Sequence, residues 1–143
     1  MRYLVCFIFC LLTFGSMAGC LALSAPPDKL TRHSWGLVSY NAGDDLVETG
    51  HGMAISLNLL PGGQVAGTTG CNDYSGEYQV EGGLISIRVL SATENHCYVQ
   101  EGAMEMEQTY FLLLNNTTRY FLDQDTLILS YYDERKLLVF EKQ

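Results

Sequence analysis

The chain has 143 residues, 48 % of them apolar and 17 % charged, with only three prolines. That balance excludes a disordered chain and leaves room for one domain with its own core, burying roughly 65 % of its unfolded surface. Eight basic residues against sixteen acidic ones give a formal charge of −8, which excludes nucleic acid as a main partner because phosphate binding needs clustered Lys and Arg.

At the start, Arg2 precedes an apolar run, Tyr3–Phe14, and small residues follow. This is the order of a bacterial export signal. Residues 1–19 are therefore read as the signal, 20–28 as a tether and 29–143 as the folded domain. In the tether, Pro26-Pro27 cannot donate backbone hydrogen bonds and stays extended. Two other readings of this end stay open. Residues 3–23 carry no charge and could span a bilayer uncleaved, or a peptidase could cut before Ala25.

Met17-Ala18-Gly19-Cys20 resembles the lipobox of bacterial lipoproteins, with Met17 where Leu or Val is usual. The resemblance implies cleavage before Cys20 and a diacylglycerol on its thiol. Several acyl chains hold a protein to a membrane stably, at about 0.8 kcal/mol per buried CH₂. The partner implied is thus a membrane, engaged through an N-terminal lipid anchor. Leu21 is not the Asp that retains many lipoproteins in the inner membrane, which places the chain at the outer membrane facing the periplasm.

Of the five cysteines, Cys6 and Cys10 leave with the signal and Cys20 takes the lipid. Cys71 and Cys97 remain in an oxidising compartment, where an isolated pair reads as a disulfide worth roughly 3–4 kcal/mol by chain entropy. A redox role lacks a C-x-x-C, and a zinc site from Cys71, Cys97 and His96 lacks a fourth ligand. No metal and no cofactor are expected.

Past residue 30 apolar residues recur with period two, as in Ile55-Leu57-Leu59, Ile85-Ile87-Val89 and Leu127-Leu129-Tyr131, the mark of strands with one face on a core. Turns fall at Pro61-Gly62-Gly63, Glu81-Gly82-Gly83, Asp123-Gln124-Asp125 and Asp133-Glu134-Arg135. The strands are placed near 34–40, 52–60, 64–69, 75–81, 83–90, 118–123, 126–132 and 136–142, a meander closing into a barrel or sandwich. One segment differs: Ala103, Met106, Tyr110, Leu113 and Leu114 recur at helical spacing over 101–114, and Asn115-Asn116-Thr117-Thr118 is expected to end that helix in a left-handed cap. Adjacent aromatics on a strand face opposite ways, so one of Tyr120/Phe121 and one of Tyr131/Tyr132 should be outside.

The run Gly70-Cys71-Asn72-Asp73-Tyr74-Ser75-Gly76-Glu77-Tyr78 resembles the META-domain (HslJ-like) family. Leu30 and Trp35 match its opening, Thr93 and Cys97 its Thr-x-x-x-Cys, Glu107, Phe111 and Leu114 its helix, and Leu127, Leu129 and Phe140 its last hairpin. Asn95-His96 stand where the family usually has Met-Ala. The resemblance covers about 29–142 and implies a mainly β, compact, lipocalin-like antiparallel barrel of about eight strands with one amphipathic helix. It also implies envelope, stress or virulence roles without an accepted enzymatic activity. The motif residues Trp35, Gly70, Cys71, Asn72, Tyr74, Gly76, Thr93 and Cys97 read as structural. Gly67, Gly70 and Gly76 permit positive φ or close backbone approach, and Asn72 can bond its own neighbouring backbone and hold a tight corner.

Catalytic chemistry is not legible. His33, His51 and His96 sit in separate loops with no nucleophile motif nearby, and the carboxylate pairs Asp44-Asp45 and Asp123/Asp125 lie in turns, where Asp is common for backbone reasons. The function expected is a non-enzymatic envelope lipoprotein with a structural or stress-related role and a possible envelope protein partner. The alternatives are a protein-binding inhibitor of a basic hydrolase such as lysozyme, and a carrier of a small apolar ligand inside a hollow barrel.

Overall fold

In a computed structural model the chain is described at residues 27–42, 44–49, 54–95, 102–131 and 137–143. Cys20, Cys97, His51, His96, Met53, Tyr132, the expected signal and the Asp133-Glu134-Arg135 turn lie outside the described residues.

A short helix, α1 (Asp28–Thr31), sets Leu30 into the core. The Leu30 carbonyl accepts the indole N–H of Trp35 at 3.1 Å, and neither side chain is exposed. Trp35 opens β1 (Trp35–Ala42). After it come β2 (Asp45–Glu48), β3 (Ser56–Leu60), β4 (Gln64–Thr68), β5 (Asp73–Glu81) and β6 (Leu84–Ala92). Helix α2 (Ala103–Asn115) follows, then β7 (Arg119–Asp123), β8 (Thr126–Ser130) and β9 (Leu137–Lys142).

The nine strands form one antiparallel sheet in the order β2-β1-β3-β4-β5-β6-β7-β8-β9, and β1 also pairs with β9. That last pairing, from Trp35↔Lys142 to Tyr40↔Leu138, bends the sheet into a ring. Along its other edge β1 is shared, Trp35 and Gly36 lying against β3 and Ser39–Ala42 against β2. Period two decides which side chains enter the ring: Leu57, Leu59, Leu127, Leu129, Leu138 and Phe140 are all buried, and their strand neighbours are more exposed, save Ser130 at the end of β8, which is also buried. Trp35, Tyr110 and Phe140, each under 2 % exposed, fill the interior.

Each of the eight expected strands has a counterpart, and β2 and α1 are additional. Strand β2 escapes a period-two reading because its four residues begin and end on acids and Leu46 points out, 53 % exposed. Its pairing is imposed by the tail of β1. Strand β8 stops at Ser130, so Tyr131 stands beyond it. Phe121 is the outward member of its aromatic pair, and Tyr120 packs against the core.

The ring is thinnest between β6 and β7, joined by the single pair Leu84↔Arg119. Helix α2 packs on β6 and β9 with Met106, Tyr110 and Leu114 inward, and the Oδ1 of Asn115 accepts the Val89 N–H at 2.8 Å, satisfying part of the β6 edge. The expected left-handed asparagine cap does not form. Asn116 has φ −98°, because its own Nδ2 donates to the Leu112 carbonyl at 2.7 Å and makes the left-handed turn unnecessary. The left-handed residue is instead Gly102, before the helix, at φ 81°.

Candidate functional site

The Thr68–Asp73 corner joins β4 to β5. Gly70 takes φ 83°, which a side chain would resist. The turn closes by the Thr69 N–H donating to the Asn72 carbonyl at 2.8 Å, and the Asn72 N–H to Thr69 Oγ1 at 3.0 Å. Thr69 and Asn72 are buried.

Local bonding is only part of what the Asn72 side chain does. Its Oδ1 accepts from Thr93 Oγ1 at 2.9 Å and from the Asn95 N–H at 2.7 Å. Its Nδ2 donates to the Glu107 carboxylate, at 3.1 Å from Oε1 and 3.0 Å from Oε2, and stands 3.4 Å from the Asn95 carbonyl. Thr69 Oγ1 donates to the same carboxylate. One amide thus joins three pieces of chain: the β4–β5 corner, the segment after β6, and helix α2. Thr93 reinforces the join, its N–H donating to the Asp73 carbonyl at 2.9 Å and its Oγ1 accepting the Asp73 N–H at 3.1 Å. The sequence named Asn72 and Glu107 separately. Their partnership is long-range, and the only hint of it was an acid beside the buried Met106–Tyr110 face of the helix.

Cys71 is disulfide-bonded, and its Sγ lies 3.4 Å from the Asn95 carbonyl oxygen. Cys97 lies outside the described residues.

A second buried group sits one layer deeper. Tyr74 donates to the Ser56 carbonyl at 2.9 Å, and its oxygen is 2.6 Å from that of Tyr110. A carbonyl cannot donate and a phenol has one hydrogen, so the order is fixed: Tyr110 donates to Tyr74, and Tyr74 to Ser56. Burial pushes both pKa values up, and for Tyr110 the neighbouring Tyr74 pushes in the same direction. Gly67 makes the reach possible, since a Cβ there would stand 2.0 Å from the Ser56 carbonyl oxygen and 2.6 Å from the Tyr74 hydroxyl. Gly76 lies at the β5–β6 bulge, where a Cβ would stand 2.1 Å from the Arg88 carbonyl oxygen.

The arrangement is one of mutual satisfaction, with each side-chain oxygen and nitrogen of Thr69, Asn72 and Thr93 spent on another residue of the corner. His33 rests edge-on to Trp35, ring centres 6.2 Å apart. Among the described residues no group of three His, Cys, Asp or Glu side chains converges as a metal site requires, and no helix is long and apolar enough to cross a membrane. A cleft of about 310 Å³ lies at the β8–β9 edge, lined by Asp125, Thr126, Glu141, Lys142 and Gln143, beside the Trp35 end of β1.

The family model of the META domain matches residues 28–143. The chain belongs to the META-domain family. Its META domain is similar to a protein from Burkholderia xenovorans solved by NMR, at 25 % identity and TM-score 0.66, covering 80 % of this chain and 84 % of that one. A second NMR structure matches at 19 % identity and TM-score 0.61, over 81 % of this chain and 93 % of the other. A crystal structure of a duf4847 family protein from Bacteroides vulgatus shares the fold, at 14 % identity and TM-score 0.57, over 78 % and 93 % of the two chains. No curated protein matches the sequence.

Proposed function

We propose that this chain is a non-enzymatic envelope lipoprotein, lipidated at Cys20 and held at the outer membrane facing the periplasm, whose META domain serves a structural or stress-related role without cofactor or metal. The observation that carries the reading is Asn72, whose side chain spends its bonding capacity on Thr93, Asn95 and Glu107. A motif consumed in holding three chain segments together has no group left to act on a substrate. In the same reading Cys97 is the partner of Cys71. The filled ring interior argues against carriage of a small ligand. Labelling cells with a radioactive fatty acid tests the anchor: the wild-type chain takes up label and Cys20→Ala does not, and equal labelling of both removes the anchor from the account.

A second reading, inhibition of a basic hydrolase such as lysozyme, is favoured by the charge of −8. It expects inhibition at low salt that fades as salt rises, and no inhibition at low salt ends it.

A further inference from the structure

The outer surface of the ring has two unlike halves. Over β3–β6 the outward rows are mainly polar, and the exposed Leu60, Leu84 and Leu90 stand on them singly rather than in a continuous apolar row. One reads Asn58–Ala66–Ser75 and the next Leu60–Gln64–Glu77–Arg88. Over β7–β9 the register places Phe121, Ile128 and Val139 side by side on three adjacent strands. All three face away from the core, since Tyr120, Leu122, Leu127, Leu129, Leu138 and Phe140 take the inner positions. Phe121 is 62 % exposed, and Ile128 and Val139 are half-buried. The stripe spans roughly 10 Å across the strands. In the row beside it stand the half-buried Leu137 and, across the buried Asn41 side chain that accepts the Leu137 N–H, the exposed Leu46. Outward sheet positions on a monomer are ordinarily polar, and an aromatic-led apolar row with a charged border is the composition of an interface.

The border limits what can sit there. Val139 pairs with Ser39 and Ser39 with Glu48, which ends the apolar row on a carboxylate. The flanking row carries Asp123 and Glu141. All three acids are exposed; among the described residues the cation on these rows is Arg119, and Lys142 beside Glu141 is paired to Asp125 at 3.3 Å. A two-fold contact with a second copy would bring these carboxylates together, and an anionic lipid surface would meet the same repulsion.

We infer that the outer face of β7–β9, with the adjoining edge of β1 and β2, is a docking surface for a basic protein that presents an apolar centre inside a cationic border. The apolar row supplies the buried contact, and Glu48, Asp123 and Glu141 supply registration and attraction. The proposal needs only the fold, so a chain released without lipid would leave it standing. Fatty-acid labelling reports that other question separately.

The test is photo-crosslinking in intact cells that express the full chain, with p-benzoylphenylalanine at position 121 and, as control, at position 86, where Ser86 is exposed on the polar half. The expected result is a discrete protein adduct from position 121, about fivefold above position 86. Its partner is basic by sequence, and the yield falls severalfold in high salt or in the variant Glu48→Gln, Asp123→Asn, Glu141→Gln. Circular dichroism confirms that this triple surface variant is folded. Adducts only with a second copy, with lipid or with an acidic protein overturn the proposal. So do equal yields at the two positions, or a yield indifferent to both salt and the triple substitution.

Discussion

Asn72 is the residue on which most depends. Truncation to alanine removes bonds to two other segments and leaves the Thr93 hydroxyl, the Asn95 N–H and the Glu107 carboxylate partly unpaired at a part-buried junction. Such losses cost about 2–4 kcal/mol together. The expected outcome for Asn72→Ala is a urea midpoint lowered accordingly, with unchanged slope. Asn72→Asp should fare no better, because it sets a carboxylate against Glu107. Gly67 gives an independent check. A methyl group 2.0 Å from the Ser56 carbonyl oxygen must push β3 from β4 or displace Tyr74, so Gly67→Ala should lose about 2–3 kcal/mol. Gly83→Ala, where nothing lies within 4 Å, should stay within about 0.5 kcal/mol of wild type.

At the scale of the element, α2 is tied down at both ends of its inner face: Glu107 bonds the β4–β5 corner and Asn115 bonds the edge of β6. Between them Tyr110 reaches Tyr74, and this pair makes stability pH-dependent. Both phenols keep their protons in the fold, with pKa raised by burial, while those of the unfolded chain ionise near 10. The unfolded state therefore binds fewer protons above pH 10, and stability, flat below that value, falls as pH climbs beyond it. The slope is at most about 1.4 kcal/mol per pH unit for each tyrosine. Thermal unfolding from pH 8 to 11 should show this decline, and the double variant Tyr74→Phe, Tyr110→Phe should flatten it. The helix itself was legible in the sequence, because Met106, Tyr110 and Leu114 repeat at its period. Its asparagine ending was legible too, but its N-terminal left-handed Gly102 and the backbone conformation of Asn116 were not, because both depend on which backbone groups find partners, a matter that periodicity does not encode.

For the molecule as a whole, eight strands and their faces could be read from alternation, since burial on one side is a local pattern. Closure was expected from the strand spacing and the family resemblance, but not which strands close the ring, since β1–β9 pairing joins the two ends of the domain and leaves no trace in either strand alone. The same holds for the site. Gly70, Asn72 and Thr93 were visible as a motif, whereas their convergence with Asn95 and Glu107 is a product of the closed sheet. A covalent tie at this corner then adds to one already made by hydrogen bonds. With Cys97 as the partner proposed for Cys71, reduction of the disulfide should lower the unfolding free energy by roughly 3–4 kcal/mol while leaving far-ultraviolet circular dichroism unchanged at 25 °C.

The intact mass of the protein purified from the membrane fraction, alkylated without reductant, bears most directly on the account of an anchored, sulfur-clamped META domain. The mass expected is that of a chain beginning at Cys20 with its lipid and with no alkylation at Cys71 or Cys97. A chain beginning at Ala25, one retaining Met1, or one alkylated at both cysteines contradicts it.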